Sequence, residues 1–314
     1  MILGIDIGGT RIKAGLVDED GALLKSAAVP TPPALPEFTR ALQDLVRDCL
    51  GGASVNTVGF GCKGIVNASN TNVDVLPGTL HYLEGRSLAE LVRPALGADI
   101  PIFADNDARV ALAGEVAWGA ARGHANVAMI TLGTGVGGAV LSEGRILRGA
   151  AGVAGHIGHV VVDPRGPLCI CGSRGCLETY FSARAIEFAA REGVDRGCVS
   201  ALTEEFATRS GDLSCADVFR AAGQGDSMAR MIVDEATFAL AAALSGVLHV
   251  VDPEILIVGG QISEAGDALL LPLAEEIHRR TRCLLHREVP LVPPQVLDRS
   301  GIIGAAAITR HPQR

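Results

Sequence analysis

Three cysteines and a histidine make the most specific chemical cluster in the chain: His159, then Cys169-Ile-Cys171-Gly-Ser-Arg-Gly-Cys176. Three thiolates and one imidazole complete a tetrahedral set for Zn²⁺, with no position left open for a reacting water. Glycines at 172 and 175 let the chain wrap a metal. A disulfide or idle thiols are the competing readings. An odd cluster of three disfavours both, because the other cysteines (Cys49, Cys62, Cys198, Cys215, Cys283) are scattered as free thiols in a reducing compartment usually are. A structural zinc site is therefore expected. Glu178 follows two residues later, so a bound metal holds it rigidly. His156 and His159 lie either side of Gly158; one is a ligand, and the other is a polar pocket group or a satisfied loop histidine.

Two glycine turns come next. Gly8-Gly9-Thr10 and Gly133-Thr134-Gly135-Val136-Gly137-Gly138 each follow an apolar strand. Backbone without Cβ atoms can approach phosphate oxygens, and consecutive N–H groups form an anion-binding concavity. Neither turn is a Walker loop, and each leads into another strand rather than a helix. One such turn alone reads as a tight hairpin; the matched pair reads as phosphate binding. Asp6, at the end of the first strand, is either a turn residue or a carboxylate that holds Mg²⁺ through water. Asp105-Asn106-Asp107 lies where a strand gives way to a helix, the junction at which open α/β sheets place ligand groups. Asp107 is either an ordinary helix-start residue or a base that accepts a hydroxyl proton.

The elements that position these groups follow from punctuation and period. Strands are expected over Ile2–Ile7, Ile12–Val17 and Ala22–Val29, and a helix over Phe38–Leu50 with apolar residues at helical spacing. A helix starts at Asp107 and ends near Trp118-Gly119. From Val127 the opening pattern recurs: VAMITLGTGVGGAVLSEGRILRG lays against LGIDIGGTRIKAGLVDEDGALLKS, strand for strand and turn for turn. That repeat predicts two similar α/β halves. Helical sequence follows from Ala183, and VDPEILIVGG ends on Gly259 and Gly260 at a further strand-to-glycine turn.

At 314 residues the chain is long enough for two cores. A net charge of −8 argues against nucleic acid but does not bar ATP, whose charge is met locally. The N-terminus meets Asp6 too early for a signal peptide, and the apolar run Ala236–Val251 is shorter than a membrane span. The expected location is the cytoplasm, with no membrane partner.

Taken together these residues resemble the ROK family of bacterial sugar kinases and sugar-responsive repressors, nearly end to end. The resemblance implies a two-domain actin-like (ribonuclease H-like) ATPase fold with a ligand cleft between domains. The smaller domain would span 1–117, completed by a C-terminal helix at about 300–314, and the larger 118–299, usually as a homodimer. It implies that Asp6, Gly8, Gly9, Thr10, Arg11, Gly133, Thr134, Gly135, Gly137, Gly259 and Gly260 bind ATP with Mg²⁺. Asp107 would be the base, and Gly64, Asn106, His156, His159 and Glu178 would hold the sugar. His159, Cys169, Cys171 and Cys176 would hold zinc.

Three departures fall on the sugar side of that pattern. His156 stands where the family carries a glutamate, exchanging an acceptor-only carboxylate for a group that can donate. Lys63-Gly64 replaces Pro-Gly, and Leu80-His81-Tyr82 replaces an Asn-Leu stretch. Two readings follow: an ATP-dependent hexose or amino-sugar kinase, or a catalytically weak sugar-sensing regulator. Family repressors carry a DNA-binding domain before the first turn, where this sequence has five residues before Asp6. A sensor should also have lost its base or its phosphate turns, and both are present.

Overall fold

The computed structural model describes residues 1–310 apart from 68–71, 77, 98, 210–211 and 297–299. The last four residues of the expected C-terminal helix, 311–314, lie outside the described residues. In chain order the elements begin β1 (Ile2–Ile7), β2 (Arg11–Val17), β3 (Leu23–Pro30), α1 (Leu35–Leu50), β4 (Thr57–Cys62), β5 (Ile65–Val66) and β6 (Asn72–Val75). They continue β7 (Arg86–Ser87), α2 (Leu88–Leu96), β8 (Ile102–Asn106), α3 (Asp107–Trp118), β9 (Val127–Leu132), β10 (Val136–Ser142) and β11 (Arg145–Ile146). After these come α4 (Ala183–Asp195), α5 (Leu202–Thr208), α6 (Cys215–Gly223), α7 (Ser227–Val251), β12 (Ile255–Gly259), α8 (Asp267–Thr281), β13 (Leu291–Val292) and α9 (Ser300–Ala307).

The repeat seen in the sequence is a repeat of topology. One sheet runs β3-β2-β1-β4-β8 and another β11-β10-β9-β12-β13. Each is a three-strand antiparallel meander extended by two strands, and in both cases those two strands pair parallel.

Two compact units result: 1–125 with 139–155 and 294–314, and 126–138 with 156–293. The expected partition at 117/118 differs, because 118–125 and 139–155 belong with the first unit. The physical ties are in the side chains of α3, described below.

In the first unit, period-two alternation sorts β1. Leu3, Ile5 and Ile7 join the core beneath α1 and α2, with Phe38, Leu42, Leu45 and Val46 supplied by the apolar stripe of α1. Ile2 and Gly4 face α9 on the other side. Helix α9 approaches so closely that a Cβ on Gly4 would strike the Ile302 carbonyl and one on Gly59 the Ala305 carbonyl. Glycine is required there by space, since neither residue lies in the left-handed region. In the second unit, Ala128, Ile130 and Leu132 of β9 and Leu256 and Val258 of β12 pack against α4, α6, α7 and α8.

Helix α7 runs 25 residues, longer than the apolar run suggested, and by length and composition it could cross a membrane. Its most apolar window is 61% buried among the core residues of the second unit, as in a central core helix.

Candidate active site and metal centre

The first unit gathers its chemistry at the carboxyl ends of three parallel strands. Register sets Asp6 beside Gly61 and Gly61 beside Asp105, with Ile7, Cys62 and Asn106 one residue further on. Parallel neighbours are about 4.8 Å apart, so Asp6, the Lys63-Gly64 turn and Asp107 share one edge. Asn106 is the N-cap of α3: its Oδ1 accepts the Ala108 N–H at 3.0 Å, and its Nδ2 donates to the Gly64 carbonyl at 3.0 Å. The residue expected to hold a sugar hydroxyl thus also locks the Gly64 loop against the helix start.

Asp107 presents an exposed carboxylate at the first turn of α3, accepting the Ala108 N–H at 2.9 Å. Surrounding protein pushes its pKa up to about 6, and the charge of Asp6 adds to this. The Ala108 hydrogen bond, Lys63 and Asn106 pull the other way. Asp6 is also raised by burial and partly offset by Lys13, 3.8 Å away.

The glycine turn after β1 is closed by Gly8 N–H to the Arg11 carbonyl at 3.0 Å and braced by Thr31, whose hydroxyl donates to the Gly8 carbonyl at 2.7 Å. A Cβ on Gly9 would meet nothing nearer than Thr79 Oγ1 at 3.7 Å. The side chain of Arg11 donates along β3 to the Ala28 carbonyl at 3.2 Å.

The second unit holds the matching turn. Gly133 N–H closes on the Gly135 carbonyl at 3.0 Å, and a Cβ on Gly133 would meet nothing within 4 Å. Thr134 is exposed and Gly137 half-buried. Neither Gly9 nor Gly133 lies in the left-handed region, so neither backbone strain nor crowding calls for glycine at these two sites. Open backbone of this kind suits close approach by a phosphate. Gly259 pairs with Thr131, and Gly260, at φ +89, rests on Leu132. Gly135 is different: a Cβ there would strike the Glu178 carboxylate, which accepts the Val136 N–H at 2.9 Å.

His159, Cys169, Cys171 and Cys176 converge as their spacing predicts, with ligand atoms all within 4.8 Å of one another. His159 Nδ1 is 3.6 Å from Cys169 Sγ, and Cys171 Sγ is 3.5 Å from Cys176 Sγ. Zn–S bonds of about 2.3 Å give tetrahedral edges of ~3.8 Å, so the set fits the ion. Gly172 and Gly175 adopt φ +88 and +67, and a Cβ on Gly175 would strike the Asp163 carbonyl. Burial and the neighbouring thiols push Cys176 up to about 12, a crowding that a bound cation would relieve. All eight cysteines are free thiols. The His156 ring lies parallel to that of His159, centroids 6.3 Å apart.

Sequence reasoning missed how deeply charges are buried at the end of β8 and inside α3. Asp105, Arg109 and Glu115 are 3%, 1% and 1% exposed. Helix α3 is buried from Ala108 to Glu115 and carries no amphipathic period, so nothing in its local pattern marks Arg109 and Glu115 for the interior. In the Leu80-His81-Tyr82 stretch, the Tyr82 ring packs on Phe38 at 5.7 Å and its hydroxyl donates to the Pro32 carbonyl.

Fold and turns together define a two-domain actin-like ATPase of the sugar-kinase class. The chain belongs to the ROK family, whose sequence model matches residues 2–311. It is 36% identical over 312 residues to a glucokinase of Thermotoga maritima, spanning 99% of this chain and 97% of that one. It is 33% identical over 317 residues to an N-acetylmannosamine kinase of Escherichia coli O157:H7, spanning 98% of each. A ROK family glucokinase from Streptomyces griseus, solved in complex with glucose and AMPPNP, superposes with a TM-score of 0.82 at 33% identity over 99% of both chains.

Proposed function

We propose that this protein transfers the γ-phosphoryl group of ATP to a hydroxyl of a hexose or amino sugar, with Asp107 as general base. The observation that carries the reading is Asp107 itself: an exposed carboxylate, raised to about 6, at the carboxyl edge of a parallel sheet beside a bare glycine turn. A base poised near neutrality suits proton removal from a hydroxyl. The sugar oxygen forms a bond to the γ-phosphorus as the bond to the bridging oxygen breaks; its proton passes to Asp107 and ADP departs.

Asn106, Gly64, His156, His159 and Glu178 are assigned to the sugar, and the turns at 8–11 and 133–137 with Gly259-Gly260 to ATP. Asp6 is the carboxylate assigned to Mg²⁺ through water. The relatives' substrates and the bound nucleotide analogue of the Streptomyces griseus enzyme support both assignments. His159, Cys169, Cys171 and Cys176 would hold Zn²⁺, which when bound supplies a rigid cross-link and no chemistry on the substrate. Eight free thiols and a thiolate site suit the cytoplasm. We also assign a homodimer and no nucleic-acid partner, the latter on the acidic net charge.

A coupled ADP-release assay over glucose, mannose, fructose, allose, N-acetylglucosamine and N-acetylmannosamine tests the reading. Sugar-dependent turnover on at least one is expected; turnover on none overturns it.

A further inference from the structure

Among the described residues, the largest fully buried side chain is a cation, Arg109, and it lies in the first unit. Burying a guanidinium is tolerable only where its donors are met. Nε donates to Asp105 Oδ1 at 2.6 Å, and Nη1 donates to the carbonyls of Gly152 and Ala154 at 2.9 and 3.3 Å. Asp105 has two further duties. Its Oδ1 accepts the N–H of Asn106 at 2.8 Å, and its Oδ2 accepts from Arg148 Nη2 at 2.7 Å.

The segment from Arg148 to Ala154 is therefore fastened at its start by Arg148, at its middle by Gly152 and at its end by Ala154. It also closes on itself, with Ala154 N–H donating to the Arg148 carbonyl at 3.0 Å. Gly152, at φ +73, leaves no room for a side chain against the Val66 carbonyl. Two residues after Ala154 comes His156, then His159. On the other side of the cluster, the residue whose N–H Asp105 holds is followed directly by Asp107.

An apolar filling of the same space would stabilise α3 as well or better, because buried ion pairs contribute little net stability. What the ionic cluster adds is direction: a planar fork aimed at two carbonyls and a carboxylate shared between a loop and a helix start.

We propose that Arg109 is a positioning residue for sugar recognition, holding the 148–154 loop on the carboxylate that also fixes the turn bearing Asp107. The proposal rests on the sugar-kinase reading above. Sugar affinity then depends on this cluster, while ATP, assigned to the glycine turns, does not.

The test is a set of steady-state constants on the full-length enzyme carrying Arg109→Lys or Arg148→Gln, with the thermal midpoint and metal content of each measured alongside. Lysine keeps the charge but loses the fork. We expect KM for the sugar to rise about tenfold or more, as displacements of ~1 Å in positioning elements produce. KM for ATP should stay within about twofold in that same comparison, metal content should not change, and a double variant should add little to Arg109→Lys alone. Arg148→Gln removes the outer, half-buried arm and keeps the question answerable if Arg109→Lys does not fold. Equal changes in both KM values, or a lowered midpoint with both unchanged, overturns the proposal. Wild-type enzyme that phosphorylates none of the sugars fails the kinase reading instead, so the two failures are distinct.

Discussion

Glu178 accepts the backbone N–H of Val136 at 2.9 Å, so the segment directly after Cys176 is hydrogen-bonded to the second glycine turn. Gly135 has no Cβ because that carboxylate fills the space. Gly135→Ala should therefore push Glu178 off Val136 and disturb the turn. We expect KM for ATP to rise about tenfold with the metal cluster intact, read by steady-state kinetics and metal analysis. Unchanged ATP kinetics would show that the turn does not need this bond.

As the proposed base Asp107 would act in its ionised form, so kcat/KM should fall as pH drops through about 6, where the surrounding protein and the charge of Asp6 place its pKa. Lys63 lowers that pKa, and Lys63→Met should move the acid limb of the profile to higher pH. Asp107→Asn should fold, keep its metal and lose roughly 10²–10⁴-fold in turnover. Near-wild-type activity in that variant removes Asp107 from the role of base.

The knuckle is expected to carry about one zinc per chain, since His159, Cys169, Cys171 and Cys176 bring four possible ligand atoms within 4.8 Å of one another. Cys176→Ser, or prolonged chelation, should release the metal and lower the thermal midpoint, because the 160–178 segment rests on turns held by Gly172 and Gly175. A metal-free preparation of unchanged stability counts against the site.

Glu115 is a stability residue. Its buried carboxylate accepts N–H groups of Ala120 at 2.7 Å, Gln295 at 3.0 Å and Val296 at 2.8 Å, tying the chain after α3 to the chain leading into α9. Glu115→Gln turns an amide NH₂ toward one of these donors. The expected cost is about 2–3 kcal/mol by urea unfolding, with activity per folded molecule retained.

What the sequence determined by itself is local. The meander repeat, both glycine turns, the helix start at Asp107 and the clustering of His159, Cys169, Cys171 and Cys176 are written in residue type and short spacing. They can be read because strand period, Cβ-free turns and metal geometry act over a few residues. The tertiary structure decided where charges and polar tips end up. Tyr82 sits by sequence in a stretch that differs from the family, and the Phe38 ring and the Pro32 carbonyl hold it half-buried against the core. Arg109 and Glu115 stand on a helix whose every face is covered, so no amphipathic pattern could mark them as interior. Besides the local partners Asp105 and Ala120, each has partners distant in sequence, at 152–154 for Arg109 and 295–296 for Glu115. Long-range contacts of that kind set the price of burying a charge, and no local window contains them.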